Sequence, residues 1–134
     1  MSLSDALKRA GLGISPGDVW LVDDRAVVIP ETPPEKRTIH AAGRTCVVLS
    51  NETICKSIHC PTISIAPTTH YTGSKTEADY VIKKSGQNGL DLDSCAMLGH
   101  IQPVVKTRLK TKIGILSLDD WENIIAKILW NFDR

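Results

Sequence analysis

Seven short apolar runs, most of them rich in β-branched residues, constrain this chain more than any other feature. They occupy residues 19–22, 26–29, 45–49, 62–65, 79–82, 94–98 and 101–105. Runs this short suit strands better than helices, because a helix needs three turns or so to present a useful apolar face. Charges, prolines and an Asn88-Gly89 turn signal separate them. Many short strands punctuated in this way predict a small antiparallel β-barrel or sandwich. Residues 30–43 carry three prolines, several charges and Gly43, which predicts a long loop of the kind that often holds a site.

Two helices frame the strands. Residues 2–10 read as a short amphipathic helix, with Ser2 as cap, Asp5 three residues on, and Leu3, Ala6, Leu7 and Ala10 along one face. Gly11, Gly13 and the turn Ser15-Pro16-Gly17 end it, so residues 1–16 form a helical extension and 17–134 the barrel domain. Ser117 caps a longer C-terminal helix whose first turns hold Asp119, Asp120 and Glu122, which suit the positive end of its dipole. Leu118, Trp121, Ile125, Ile128, Leu129 and Phe132 predict a broad buried face, and Trp121 and Trp130 read as packing residues. The fold class is therefore mainly β with helices.

At 134 residues the chain is one domain. Its net charge of +1 excludes a histone-like binder, while 42% apolar and 23% charged residues exclude disorder. No apolar run approaches the ~18 residues of a membrane span, and the first ten residues lack the apolar centre of a signal peptide, so a cytoplasmic protein is expected. The charge is uneven: residues 36–114 hold eleven Lys or Arg against five acids, and all four histidines. A middle of that kind suits a phosphate partner, although a solvated basic face is the commoner outcome. Cys46, Cys55, Cys60 and Cys95 lack disulfide spacing, and the 55–60 pair has no second pair to complete a zinc site, so no metal or cofactor is expected.

The chain has no phosphate-binding glycine fingerprint, serine nucleophile elbow or His-Glu-x-x-His helix. Polar residues gather instead at strand ends. Arg44 opens the run 45–49, Thr68, Thr69 and His70 follow the run that reaches Ile65, His100 sits between two late runs, and His40 lies in the long loop. Convergence of these ends would give one fixed cation, two hydroxyls and titratable imidazoles. Residue type alone also allows Arg44 to be the ion-pair partner of a strand-end carboxylate.

Gly17-Asp18-Val19-Trp20-Leu21-Val22 and Arg44-Thr45-Cys46-Val47-Val48-Leu49-Ser50 resemble the opening of the MazF/PemK family of toxin endoribonucleases. Ile65-Ala66-Pro67-Thr68-Thr69 and the block Asp93 to Leu98, Ile101, Arg108-Leu109 and Ile113 to Leu116 resemble its later strands in order and spacing. The likeness spans roughly residues 17–132. It implies a small Src-homology-type (MazF/PemK/CcdB-like) antiparallel barrel and a homodimer. It also implies metal-independent cleavage of single-stranded mRNA, and a cognate antitoxin as partner. By the same resemblance Arg44 is the catalytic arginine and Thr68 the catalytic threonine. Gly99-His100 falls where the family carries a carboxylate.

The implied chemistry suits these side chains. The 2′-hydroxyl attacks the adjacent phosphorus, leaving a 2′,3′-cyclic phosphate and a 5′-hydroxyl. Arg44 can stabilise the pentacoordinate phosphorus through two donors, and Thr68 can bond a nonbridging oxygen. His100 or His70 can move the protons in place of the missing carboxylate. Thr69, His40, Tyr71, Lys106 and Arg108 are the expected RNA contacts, with Lys106, Arg108, Lys110 and Lys112 alternating as on one exposed strand face. The second reading is a barrel that binds RNA or a protein without cutting, and the Gly99-His100 replacement favours it.

Overall fold

The computed structural model describes residues 13–134, so the helix expected over residues 2–10 lies outside the described residues. Seven antiparallel strands form the scaffold: β1 (Asp18–Val22), β2 (Arg44–Val48), β3 (Thr62–His70), β4 (Tyr80–Ile82), β5 (Ser94–Ala96), β6 (Gln102–Val105) and β7 (Leu109–Ile115). Their order is β4-β5-β3-β2-β1-β7, with β6 also on β3. β3 organises the sheet. Residues 65–67 pair with β2, 62–65 with β6 and 68–70 with β5, and the turn Leu98–His100 links the last two partners.

The ends of this order meet. The loop after β4 crosses to β7, where the Ile115 N–H donates to Gln87 O and Gly114 lies against the Asn88 backbone. Asn88 is itself buried and holds the loop's shape through bonds to Ser85, Leu90 and Lys83. This contact brings the two sheet edges together, which removes exposed edges in the manner of a barrel.

Both faces of the curved sheet are covered, so β2 reads as a continuous apolar run rather than an alternating one. Cys46 and Val48 join one core with Val22, Ile63 and Ile65, whereas Val47 joins a second with Val19, Ala66 and Ile124. Ile14, fully buried, seals the first core from the N-terminal side. Cys46, Cys55 and Cys95 are buried free thiols, as their apolar settings predict. Burial pushes the Cys46 thiol up to about 12, which keeps it protonated and inert.

Two α-helices complete the described residues. A short helix, α1 (Glu52–Lys56), occupies the connection between β2 and β3 and is capped by the Asn51 side chain. The C-terminal helix, α2 (Leu118–Asn131), begins where expected, with Ser117 Oγ accepting the Asp120 N–H. Its buried face differs from the expected one. Ile124 is the fully buried residue and Trp121 and Ile128 pack beside it, while Leu118, Leu129 and Phe132 are exposed. Tyr80 fixes the helix to β4 through a 2.6 Å hydrogen bond to Asp120.

Three further expectations are corrected. Residues 26–29 form no strand: both the N–H and the carbonyl of Val28 are bonded by the Gln102 side-chain amide, which substitutes for a neighbouring strand. The run 62–65 continues through Pro67 to His70, so Thr68, Thr69 and His70 lie within β3 rather than after it. Lys106 is not on an exposed strand face. It belongs to a turn, is 1% exposed, and donates to Ile54 O and Ser57 O at the end of α1.

Gly114 has no space for a side chain, since a Cβ there would overlap the Asn88 and Gln87 backbones. Gly114→Ala is expected to lower the unfolding free energy by about 3 kcal/mol in urea titrations. Parental stability in that variant would show that the β4–β5 loop does not close on β7.

Candidate active site around Arg44

The start of β2 is placed by Gly43. Its φ is 110°, and a Cβ at this position would lie 2.8 Å from Val22 O, which leaves no room for another residue. Arg44 therefore enters the sheet opposite Val22, beside the turn that follows β1. That turn carries Asp24, whose side chain is fully buried.

Asp24 is the centre of the site. Its Oδ1 accepts from Arg44 Nε and from Arg37 Nη1, both at 2.8 Å, and its Oδ2 accepts the His40 N–H at 2.8 Å. Arg37 spends its other terminal nitrogen on the carbonyls of Asp24 and Val27. Arg44 Nη1 donates to Thr68 O at 3.1 Å, and Nη2 has no partner among the described residues. Two guanidiniums thus share one carboxylate, and the group carries a surplus of one positive charge. Arg37 is turned inward on all its bonds, so the surplus resides on Arg44, whose side chain is 14% exposed.

Burial opposes ionisation of Asp24, but the His40 amide and the Arg37 and Arg44 hydrogen bonds outweigh it and hold the carboxyl at about 2. Leaving either arginine without the carboxylate would strand a half-buried charge, so the group is a constraint on the fold as well as a site.

The remaining predicted residues divide around this centre. Arg44 and Thr68 are brought together, but through the threonine's carbonyl; the Thr68 hydroxyl donates to Thr45 O at 3.1 Å and the residue is 4% exposed. Strand alternation explains this. Arg44 shares the β2 face of Cys46 and Val48, and Thr68 shares the β3 face of Ala66, which belongs to the other core. Thr69 is exposed and falls on Arg44's face. His40 is tied in through its backbone, and its exposed side chain lines a cavity of about 310 Å³ with Asp23, Arg25, Ile39, Ala41 and Lys110. Arg108 borders the same region by pairing with Asp23 at 3.1 Å.

His100 stands apart. Its Nε2 contacts both Glu31 carboxylate oxygens at 2.9 and 3.0 Å, and its Nδ1 is buried without a partner among the described residues. The His100 hydrogen bond keeps the Glu31 carboxyl below its ordinary range. His70 is 62% exposed with only a 4.0 Å approach to Asp91. Tyr71 is exposed beside it and bonds Asp93 O through its backbone. Lys106, spent inside the fold, makes no part of this surface.

Asp24 and Arg37 are the residues that sequence reasoning missed. The signal was the doublet Asp23-Asp24 at the end of a strand, followed by an arginine within a proline-rich loop. Nothing in that pattern says which acid turns inward.

The low Asp24 carboxyl sets an acid dependence. The unfolded chain binds the proton more readily, so the stabilisation is complete above about pH 4–5 and disappears as pH falls through 4 toward 2. The shift from 3.8 to about 2 corresponds to about 2 kcal/mol. Urea unfolding at pH 5 and pH 2.5 is expected to show that loss in the parent chain, and a smaller one in Asp24→Asn.

Comparison with known proteins agrees with this architecture. Residues 15–132 match the family model of the PemK-like, MazF-like toxins of type II toxin-antitoxin systems. Comparison with curated protein sequences gives no match. Among solved structures, the chain is similar to the Mycobacterium tuberculosis toxin MazF-mt6, at 16% identity and a TM-score of 0.62 over 87% of this chain and 99% of that one. It is also similar to a mycobacterial endoribonuclease solved in complex with its cognate antitoxin, at 11% identity and a TM-score of 0.64 over 91% and 99%. A third likeness is to MazF in the MazE-MazF structure from Deinococcus radiodurans, at 13% identity and a TM-score of 0.58 over 86% and 90%. At these identities the structures speak for the fold, and the family match spans nearly the whole chain. The chain belongs to the PemK-like, MazF-like family of toxins of type II toxin-antitoxin systems.

Proposed function

We propose that this chain is an endoribonuclease toxin that cuts single-stranded RNA by attack of the 2′-hydroxyl, leaving 2′,3′-cyclic phosphate and 5′-hydroxyl ends without a metal ion. The observation that carries the reading is the surplus charge on Arg44, with one terminal nitrogen unengaged beside β3. A guanidinium held this way is preorganised for the charge that develops on the phosphoryl oxygens.

Around it, Thr68 anchors Arg44 through its carbonyl, and Thr69 offers an exposed hydroxyl that reaches a phosphate without breaking the Thr68–Thr45 bond. Two imidazoles are candidates for proton transfer: Glu31 holds the outer nitrogen of His100, and alternation along β3 puts the His70 side chain on the face opposite Thr69. His40, Tyr71 and Arg108 flank the track for the chain on either side. The protein acts in the cytoplasm as a homodimer, and a cognate antitoxin covers the groove; the mycobacterial neighbour solved with its antitoxin supports that partnership.

Incubation of RNA with the purified protein in chelator tests the proposal. Fragments with cyclic-phosphate ends are expected, and Arg44→Ala is expected to slow their appearance about 100- to 1,000-fold. Thr69→Val should slow cleavage more than Thr68→Val, and one of the two variants His70→Ala and His100→Ala should remove one limb of the pH–rate profile. RNA that stays intact at protein excess would overturn the nuclease and leave a binding barrel.

A further inference from the structure

We infer that Asp24 is a positioning residue for Arg44: it fixes the guanidinium by its Nε so that Nη2 alone faces the scissile phosphate. The inference rests on the nuclease reading and extends it to a residue that touches no substrate.

Three features of the geometry assign this role. Asp24 binds Arg44 at Nε, the nitrogen nearest the backbone, rather than across the two terminal nitrogens. A terminal bidentate pair would consume the donors that recognise a phosphate. The single Nε bond, with Nη1 on Thr68 O, instead fixes the plane of the guanidinium and leaves one edge open. The carboxylate is also held at both oxygens: Arg37 Nη1 shares Oδ1 and the His40 N–H binds Oδ2, so swinging it to cover the outer edge of Arg44 would break these bonds.

Arg37 supplies the third feature. With both terminal nitrogens bonded inward, it neutralises Asp24 and leaves Arg44 as the uncompensated cation. One arginine thus serves the fold and the other the substrate. A lone Arg44–Asp24 pair would be neutral, with a weaker pull on an anion.

A second buried carboxylate provides the control. Asp18 is 1% exposed, accepts from the Ser15 N–H and Trp20 Nε1 and forms an ion pair with Lys112, on the same sheet but with no bond to the Arg44 group. Cleavage sites are first mapped on a mixed-sequence RNA. Turnover is then measured for the parent chain, Asp24→Asn and Asp18→Asn. Affinity is measured with an oligonucleotide carrying 2′-deoxyribose at the mapped position, and thermal unfolding is followed alongside.

Asp24→Asn is expected to lower turnover about 100-fold, as for a misplaced reacting group. Its affinity for the uncleavable RNA is expected to be equal or tighter, because a negative charge beside the site is removed. Asp18→Asn should lower thermal stability and keep turnover within about threefold, as a change remote from the reacting groups should. Unchanged turnover in Asp24→Asn overturns the inference, and so does a loss shared equally between turnover and affinity. A parent chain that fails to cleave overturns the nuclease reading, and this inference with it.

Where Asp24→Asn does not fold, the parent chain carries the test by NMR. The Arg44 Nε–H is expected to exchange slowly and to stay protected when the uncleavable RNA binds. Loss of that protection on binding would show that Arg44 leaves Asp24, and would overturn the inference.

Discussion

The hydrogen-bonded group of Asp24 with Arg37, Arg44 and the His40 amide is the interaction on which the rest of this molecule depends. It joins the turn after β1, the long loop and the first residue of β2 at one buried carboxylate. None of these segments could hold its position alone. The loop has three prolines and little regular structure, so its backbone contributes few ladder bonds. A buried charge that must be satisfied supplies the missing specificity, because any other arrangement would leave a carboxylate or a guanidinium stranded.

The same group links stability to the proposed activity. A carboxylate matched by one arginine would be a neutral structural bridge. With two arginines it retains a cationic edge, and strand β3 brings the carbonyl of Thr68 to Arg44. The barrel contributes rigidity: residues 46–48 of β2 and 65–68 of β3 are buried on both faces, so the backbone that carries Arg44 has little freedom to drift. A preorganised cation of this kind needs little rearrangement when charge develops on a phosphate, which is the physical basis of the proposed cleavage.

Each misreading of a single residue has a physical cause. Residues 26–29 have the composition of a strand, but the Gln102 side chain meets the backbone of Val28 where a ladder partner would lie. Lys106 belongs to an alternating basic series, yet its ammonium caps the carbonyls of α1 from inside. Leu118, Leu129 and Phe132 fit a helical stripe, but the curvature of the barrel lets only the Ile124 side of α2 reach the core. In each case local pattern was outweighed by a partner far along the chain.

What the amino-acid order settled alone was the class of molecule and the neighbourhood of the candidate site. Short β-branched runs, a capped terminal helix and Arg44 at the head of a strand are local features, governed by side-chain sterics and backbone bonding over a few residues. What only the tertiary structure decided was who faces whom. Asp24 rather than Asp23 turned inward, Arg37 joined it, Thr68 pointed its hydroxyl away from Arg44, and His100 went to Glu31. The Thr68 choice follows from strand register and side-chain alternation, which a shift of one residue would reverse and no local propensity fixes. The others follow from how turns and loops far apart in the chain meet.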